Sequence, residues 1–143
     1  MDIKRRGSAE WSGGLKDGKG TLSTQSGALK ELPYGFNTRF EETPGTNPEE
    51  LIGAAHAGCF TMALSSILGQ EGLTATRLAT TATVTLRQSA QGFDISAVHL
   101  SLEGSVPGTD NDTFVRLAEK AKANCPVSKL LTADITLDAR LVS

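Results

Sequence analysis

Asn47-Pro48-Glu49-Glu50-Leu51-Ile52-Gly53-Ala54-Ala55-His56-Ala57-Gly58-Cys59-Phe60 opens the segment that decides how this chain folds. Asn47 suits a helix cap, Pro48 the first helical position, and Glu50 stands three residues after the cap, where a capping box places a carboxylate. Met62, Ala63, Leu64, Ile67 and Leu68 continue the run. Apolar residues surround most of the cylinder, so the helix is expected to be buried on nearly every side. A small domain wraps only part of such a helix. A second copy covering the remainder makes a homodimer the expected assembly, and small residues at Gly53, Ala54, Ala57 and Gly58 permit another backbone to approach.

Upstream of this helix, residues 10–13 and 20–24 flank Lys16-Asp17-Gly18-Lys19, whose Asp-Gly pair signals a hairpin. A stretch rich in Gly, Pro and Asn then leads into Thr38-Arg39-Phe40, expected to be a strand. Downstream, Leu78, Ala82, Val84 and Leu86 alternate with Thr81, Thr83, Thr85 and Arg87, as in a half-buried strand. Ser89-Ala90-Gln91-Gly92 turns the chain into a second long strand. Its apolar phase slips between Ile95 and Val98, which predicts a bulge. A second helix is expected over 110–123, with Phe114, Leu117, Ala118 and Ala121 on one face, then a short helix over 126–131. Ile135, Leu137, Ala139 and Leu141 form the closing strand. This order predicts the α+β class, and the absence of repeats or linkers predicts one domain, 1–143.

At 143 residues, 38% hydrophobic and 21% charged, the composition is that of a soluble globular domain. A net charge of −2 supplies no field to attract nucleic acid or acidic lipid, so neither is an expected partner. Lys4-Arg5-Arg6 lacks the following apolar stretch of a signal peptide. No run reaches membrane-spanning length without polar interruption. A cytoplasmic location is expected.

Cys59 and Cys125 are the only two cysteines. In a chain without a secretory signal they point to redox chemistry more than to a structural staple, although a plain disulfide is the alternative. The thiolate is the nucleophile, and burial raises a thiol pKa, so Cys59 left alone is a small core hydrophobe. To react it needs a cation, for which Arg39, beside Phe40, is the best candidate, with Glu49 as the carboxylate that holds the guanidinium. Glu49 and Cys59 stand about 15 Å apart along a helix axis. One arginine therefore reaches both most easily across an interface, with Arg39 and Glu49 from one chain and Cys59 from the other. Cys125 sits just before Pro126, at the cap of the short helix, where free amides and the dipole lower a thiol pKa. Local physics thus nominates Cys125 as the better nucleophile.

The stretch from Gly45 to Phe60 resembles the signature helix of the OsmC/Ohr family of thiol-dependent peroxidases. Pro33-Tyr34-Gly35-Phe36-Asn37-Thr38-Arg39-Phe40-Glu41 and Lys122-Ala123-Asn124-Cys125-Pro126-Val127-Ser128 resemble its OsmC branch. The resemblance implies an OsmC-like fold, with antiparallel sheets wrapped around a long central buried helix in an intertwined homodimer. It implies reduction of organic hydroperoxides, and of hydrogen peroxide less well, at two interface sites, in defence against oxidative or osmotic stress. By resemblance Cys59 is the peroxidatic cysteine, Cys125 the resolving one, and Arg39 and Glu49 complete the catalytic set, which reverses the dipole-based ranking of the thiols. A dithiol reductant, such as a lipoylated protein, is implied as well.

Competing signals are weaker. Residues 13–19 match the start of a phosphate-binding loop, but Gly20 stands where Ser or Thr would bind magnesium, and a strand follows instead of a helix. His56, Cys59, His99 and Cys125 lack the spacing of a zinc motif, and His99 falls on the solvent phase of its strand. No metal and no cofactor are expected, and His56 reads as a packed or interface histidine more than a general base. The alternative function is a non-enzymatic dimeric stress protein holding a lipid-like ligand in an apolar cavity.

Overall fold

The Asp-Gly hairpin forms where the sequence places it in the computed structural model, which describes residues 1–143. Strands β1 (Gly7–Ser12) and β2 (Lys19–Thr24) pair antiparallel, and β3 (Leu32–Tyr34) adds to the other edge of β2. The Gly18 amide donates to the Gly14 carbonyl at 2.9 Å, and Asp17 Oδ1 accepts from the Gly14 amide at 3.0 Å, which closes the turn. Gly20 lies opposite both Trp11 and Tyr34, whose rings meet edge to face at 5.5 Å. A Cβ at Gly20 would come within 2.5 Å of each ring, so the aromatic contact requires glycine there.

Thr38-Arg39-Phe40 is helical, not extended: α1 (Phe36–Phe40) is a short helix. Local side-chain bonds override the strand propensity of Thr38 and Phe40. Thr38 Oγ1 accepts from the Gly35 amide at 2.9 Å and donates back to the Gly35 carbonyl at 3.1 Å. These elements belong to the first of two backbone units, residues 1–51; the second comprises 52–143.

The long helix α2 (Pro48–Gln70) begins in the first unit and continues into the second. Asn47 caps it as expected, with Oδ1 accepting from the Glu50 amide at 2.8 Å. Burial on every side is not observed within one chain. His56, Phe60, Leu64, Ile67 and Leu68 are buried, whereas Ala54, Ala55, Gly58, Met62, Ser65, Ser66 and Gly69 are exposed, Met62 at 76%. By length and composition alone α2 would suffice to cross a membrane. Its buried face, however, is the centre of the apolar core, and core helices meet the same criterion.

In the second unit, β4 (Arg77–Ser89) and β5 (Gly92–Ser105) form a long antiparallel hairpin turned at Ala90-Gln91. The expected bulge is present: Thr85 faces Ala97 and Leu86 faces Ile95, leaving Ser96 without a partner on β4. Helices α3 (Asn111–Asn124) and α4 (Pro126–Leu130) follow. Asp110 Oδ1 caps α3 by accepting from the Thr113 amide at 2.8 Å. The closing strand β6 (Asp134–Leu141) pairs parallel to β5, which corrects the expectation of purely antiparallel sheets. The α3–α4 connection supplies the crossover that a parallel neighbour needs. Val98, Leu100 and Leu102 of β5 pack with Phe114, Leu117, Ala118 and Ala121 of α3 and with the inner face of α2. Class and architecture are thus α+β, with a three-stranded sheet in each unit.

Candidate active site

The four residues singled out in the sequence fall into two pairs, one in each unit. In the first unit, Arg39 Nε donates to Glu49 Oε1 and Nη2 to Oε2, both at 2.9 Å, a bidentate pair of the strongest geometry available to these side chains. The Arg39 guanidinium also lies 5.2 Å from the centre of the Phe40 ring. Asn47 Nδ2 donates to the Thr38 carbonyl at 3.1 Å, fastening α1 to the start of α2 and so holding the pair in register. The hydrogen bond to Glu49 raises the Arg39 pKa, against the opposing effect of burial. The guanidinium is charged at every relevant pH.

In the second unit, Cys59 projects from the middle of α2 and Cys125 from the junction of α3 and α4. Both are free thiols, Cys59 half-buried and Cys125 with no exposed surface. The two thiols lie close enough for each to shift the other, Cys59 lowering the Cys125 pKa and Cys125 raising that of Cys59. Cys125 is the N-cap residue of α4, and Pro126 occupies the first helical position. Burial pushes the Cys125 thiol up, but the Cys59 thiol, the amide and hydroxyl of Ser128 and the Val127 amide more than offset it and leave it below the ordinary cysteine value. Cys59 moves the other way, raised by burial and by the neighbouring Cys125, with only the Val127 amide opposing. Electrostatics within the unit therefore favour Cys125 as the thiolate, as the cap position predicts, while access favours Cys59.

Two further residues complete this cluster. His56, one turn before Cys59, is fully buried, and its Nε2 lies 2.8 Å from Ser128 Oγ. Burial lowers its pKa, so the ring is neutral near pH 7. Sequence reasoning took His56 as packing and gave Ser128 no role. The available signal was the spacing: Ser128 stands three residues after a cap residue, where a side chain reaches back to the cap. His99 is half-exposed, bonded to Thr136 Oγ1 at 2.6 Å and 3.2 Å from Asp138 on the parallel strand β6. Beside the exposed face of α2, a groove of about 630 Å³ runs between Ala57, Gly58 and Met62 and the β4 residues Arg77, Leu78 and Thr80.

Comparison with known proteins agrees with this architecture. The sequence model of the family described as OsmC-like protein matches residues 40–140. The chain is 57% identical to Peroxiredoxin OsmC of Escherichia coli (strain K12) over the full length of both chains. It is 32% identical to the Organic hydroperoxide resistance protein of Xanthomonas axonopodis pv. citri (strain 306), covering 68% of this chain and 67% of that one. The crystal structure of an organic hydroperoxide resistance protein from Elizabethkingia anophelis superposes with a TM-score of 0.74 at 24% identity, covering 99% of this chain and 98% of that one, a likeness of fold.

Proposed function

This chain belongs to the OsmC family, and on that footing we propose that it is a peroxidase that reduces organic hydroperoxides, and hydrogen peroxide less well, through its two thiols. The reading rests on one observation above the rest: two unlinked cysteines, remote in sequence, lie close enough that each shifts the pKa of the other, one accessible and one sealed. The Cys59 thiolate attacks the terminal peroxide oxygen, the O–O bond breaks, and the departing alkoxide takes a proton to become an alcohol. Cys59 is left as a sulfenic acid. Cys125 then displaces hydroxide from it, forming the Cys59–Cys125 disulfide and protecting Cys59 from irreversible oxidation. A dithiol, such as a lipoylated protein, restores both thiols.

Arg39 is assigned the cation that Cys59 lacks within its own unit, with Glu49 fixing the guanidinium plane. A homodimer in which a second copy supplies that pair, and covers the exposed face of α2, fits the unfilled apolar surface of Met62 and its neighbours. The 143 residues are read as one functional domain, working in the reducing cytoplasm in stress defence.

The test is one equivalent of cumene hydroperoxide added to reduced protein, followed by free-thiol count and intact mass. Wild type is expected to lose both thiols through an intrachain bond. Cys59→Ser should not react, Cys125→Ser should stop at the sulfenic acid, and Arg39→Met should react about 10²-fold or more slowly, as for loss of an electrostatic stabiliser. Unchanged thiols in wild type would remove the peroxidase reading and leave a lipid-binding protein as the better account.

A further inference from the structure

Cys125 is the N-cap residue of α4, and Ser128, at the third position of that helix, is itself held from behind. Ser128, three residues after Cys125 in α4, is among the groups that lower the Cys125 pKa, and His56 Nε2 lies 2.8 Å from its hydroxyl oxygen. The other ring nitrogen, Nδ1, is buried and meets no hydrogen-bonding partner. A buried N–H left unpaired is costlier and rarer than a buried lone pair, so the ring hydrogen belongs on Nε2. Nε2–H then donates to Ser128 Oγ, which leaves the serine hydrogen free to be donated onward.

We propose that His56 is a positioning residue for the resolving half of the cycle, aiming the Ser128 hydroxyl at Cys125 so that this sulfur is held as a thiolate while the disulfide closes and departs as a thiolate when it reopens. The inference rests on the two-cysteine cycle proposed above. In closure, a lone pair of Cys125 Sγ forms the S–S bond and the Cys59 S–O bond breaks; hydroxide leaves and takes a proton from solvent to give water. The Cys125 sulfur is oxidised and the Cys59 sulfur reduced in the same step. In reopening, one thiolate of the dithiol reductant attacks Cys59, the S–S bond breaks, and its electron pair goes to Cys125. The second thiol of the reductant then releases Cys59. Attack falls on Cys59 because Cys125 has no exposed surface and is the better-stabilised leaving group. A hydroxyl without His56 behind it would rotate freely among other acceptors, and the neutral buried ring prevents that without adding a charge.

The proposal is tested by following thiolate absorbance near 240 nm against pH in the Cys59→Ser protein, where Cys125 is the only thiol. Ser128→Ala added to that background is expected to raise the titration midpoint by about one pH unit, as loss of a hydrogen bond to a charged atom does. His56→Leu should raise it as well, and His56→Gln, whose amide can still donate to Ser128, should restore most of the difference. Ser128→Ala removes one atom at a half-buried position and is interpretable even where His56→Leu does not fold; an unchanged midpoint there overturns the proposal. A rise in Ser128→Ala with none in a folded His56→Leu also overturns it, leaving the histidine as packing. The titration uses no peroxide. Failure of wild type to form a disulfide would therefore overturn the cycle separately, while a formed disulfide with equal midpoints would overturn only the relay.

Discussion

The two units of this chain are held together by different physics. Every buried apolar side chain lies between Phe60 and Cys125, in the second unit; residues 1–51 contribute none. The first unit depends on strand hydrogen bonds, the Trp11–Tyr34 contact and the Arg39–Glu49 pair, and all six residues of β1 are exposed. The chemistry divides along the same line. The sulfurs sit against a close-packed core that keeps Cys125 from solvent, whereas the charges sit where little apolar burial supports them. A polar site on a thin scaffold takes its geometry from charge-assisted bonds, and a redox pair in a core takes its geometry from packing.

That contrast can be broken most directly in the core. Phe114→Ala removes a fully buried ring and is expected to cost about 3–5 kcal/mol, measured by chemical denaturation. A much smaller cost would mean the second unit is not the main store of stability. Arg39→Met should cost less, about 1–2 kcal/mol, because the Glu49 carboxylate is left nearly buried without its partner while the arginine side chain itself is 36% exposed and screened. Trp11 fluorescence would register this change in the first unit, and an unaltered unfolding curve would show that the ion pair contributes nothing to stability. The smallest effect is expected from pH. Burial lowers the His56 pKa, so the unfolded chain takes up the proton first. Its contribution to stability is full above the unfolded value of about 6.5 and is lost as pH falls through the folded one. The urea midpoint should drop between about pH 7.5 and pH 5.5, and His56→Gln should flatten that drop; an equal drop in both proteins would assign it to other groups.

The long helix and the second unit were largely legible in the sequence because their periodicities are clean. Asn47 marked the start of α2, alternation marked β4 and β6, and the slip between Ile95 and Val98 located the bulge to within the residue pairs that show it. The direction of β6 was not legible, since alternation is the same in parallel and antiparallel strands and only the crossover decides. Thr38-Arg39-Phe40 was misread as a strand because propensity does not anticipate a hydroxyl that bonds twice to Gly35. The site was half legible. The two cysteines and the likeness of their flanking motifs nominated the thiols, and the cap position of Cys125 anticipated its lowered pKa. The placing of His56 behind Ser128 depends on how α4 packs against α2, a long-range contact that no local pattern records.

The unpaired Ser96 divides β5 into two reading frames. Residues 97–105 are phased to β4 for the core, and residues 92–95 are phased independently for an exposed tip that includes Phe93. Side chains in an uninterrupted strand alternate without exception, so any change of length at the turn would otherwise propagate down the ribbon and turn the core residues outward. At Ser96 the count restarts. The hairpin tip is thereby free to lengthen, shorten or change its outward face over evolutionary time while Val98, Leu100 and Leu102 stay aimed at the same neighbours.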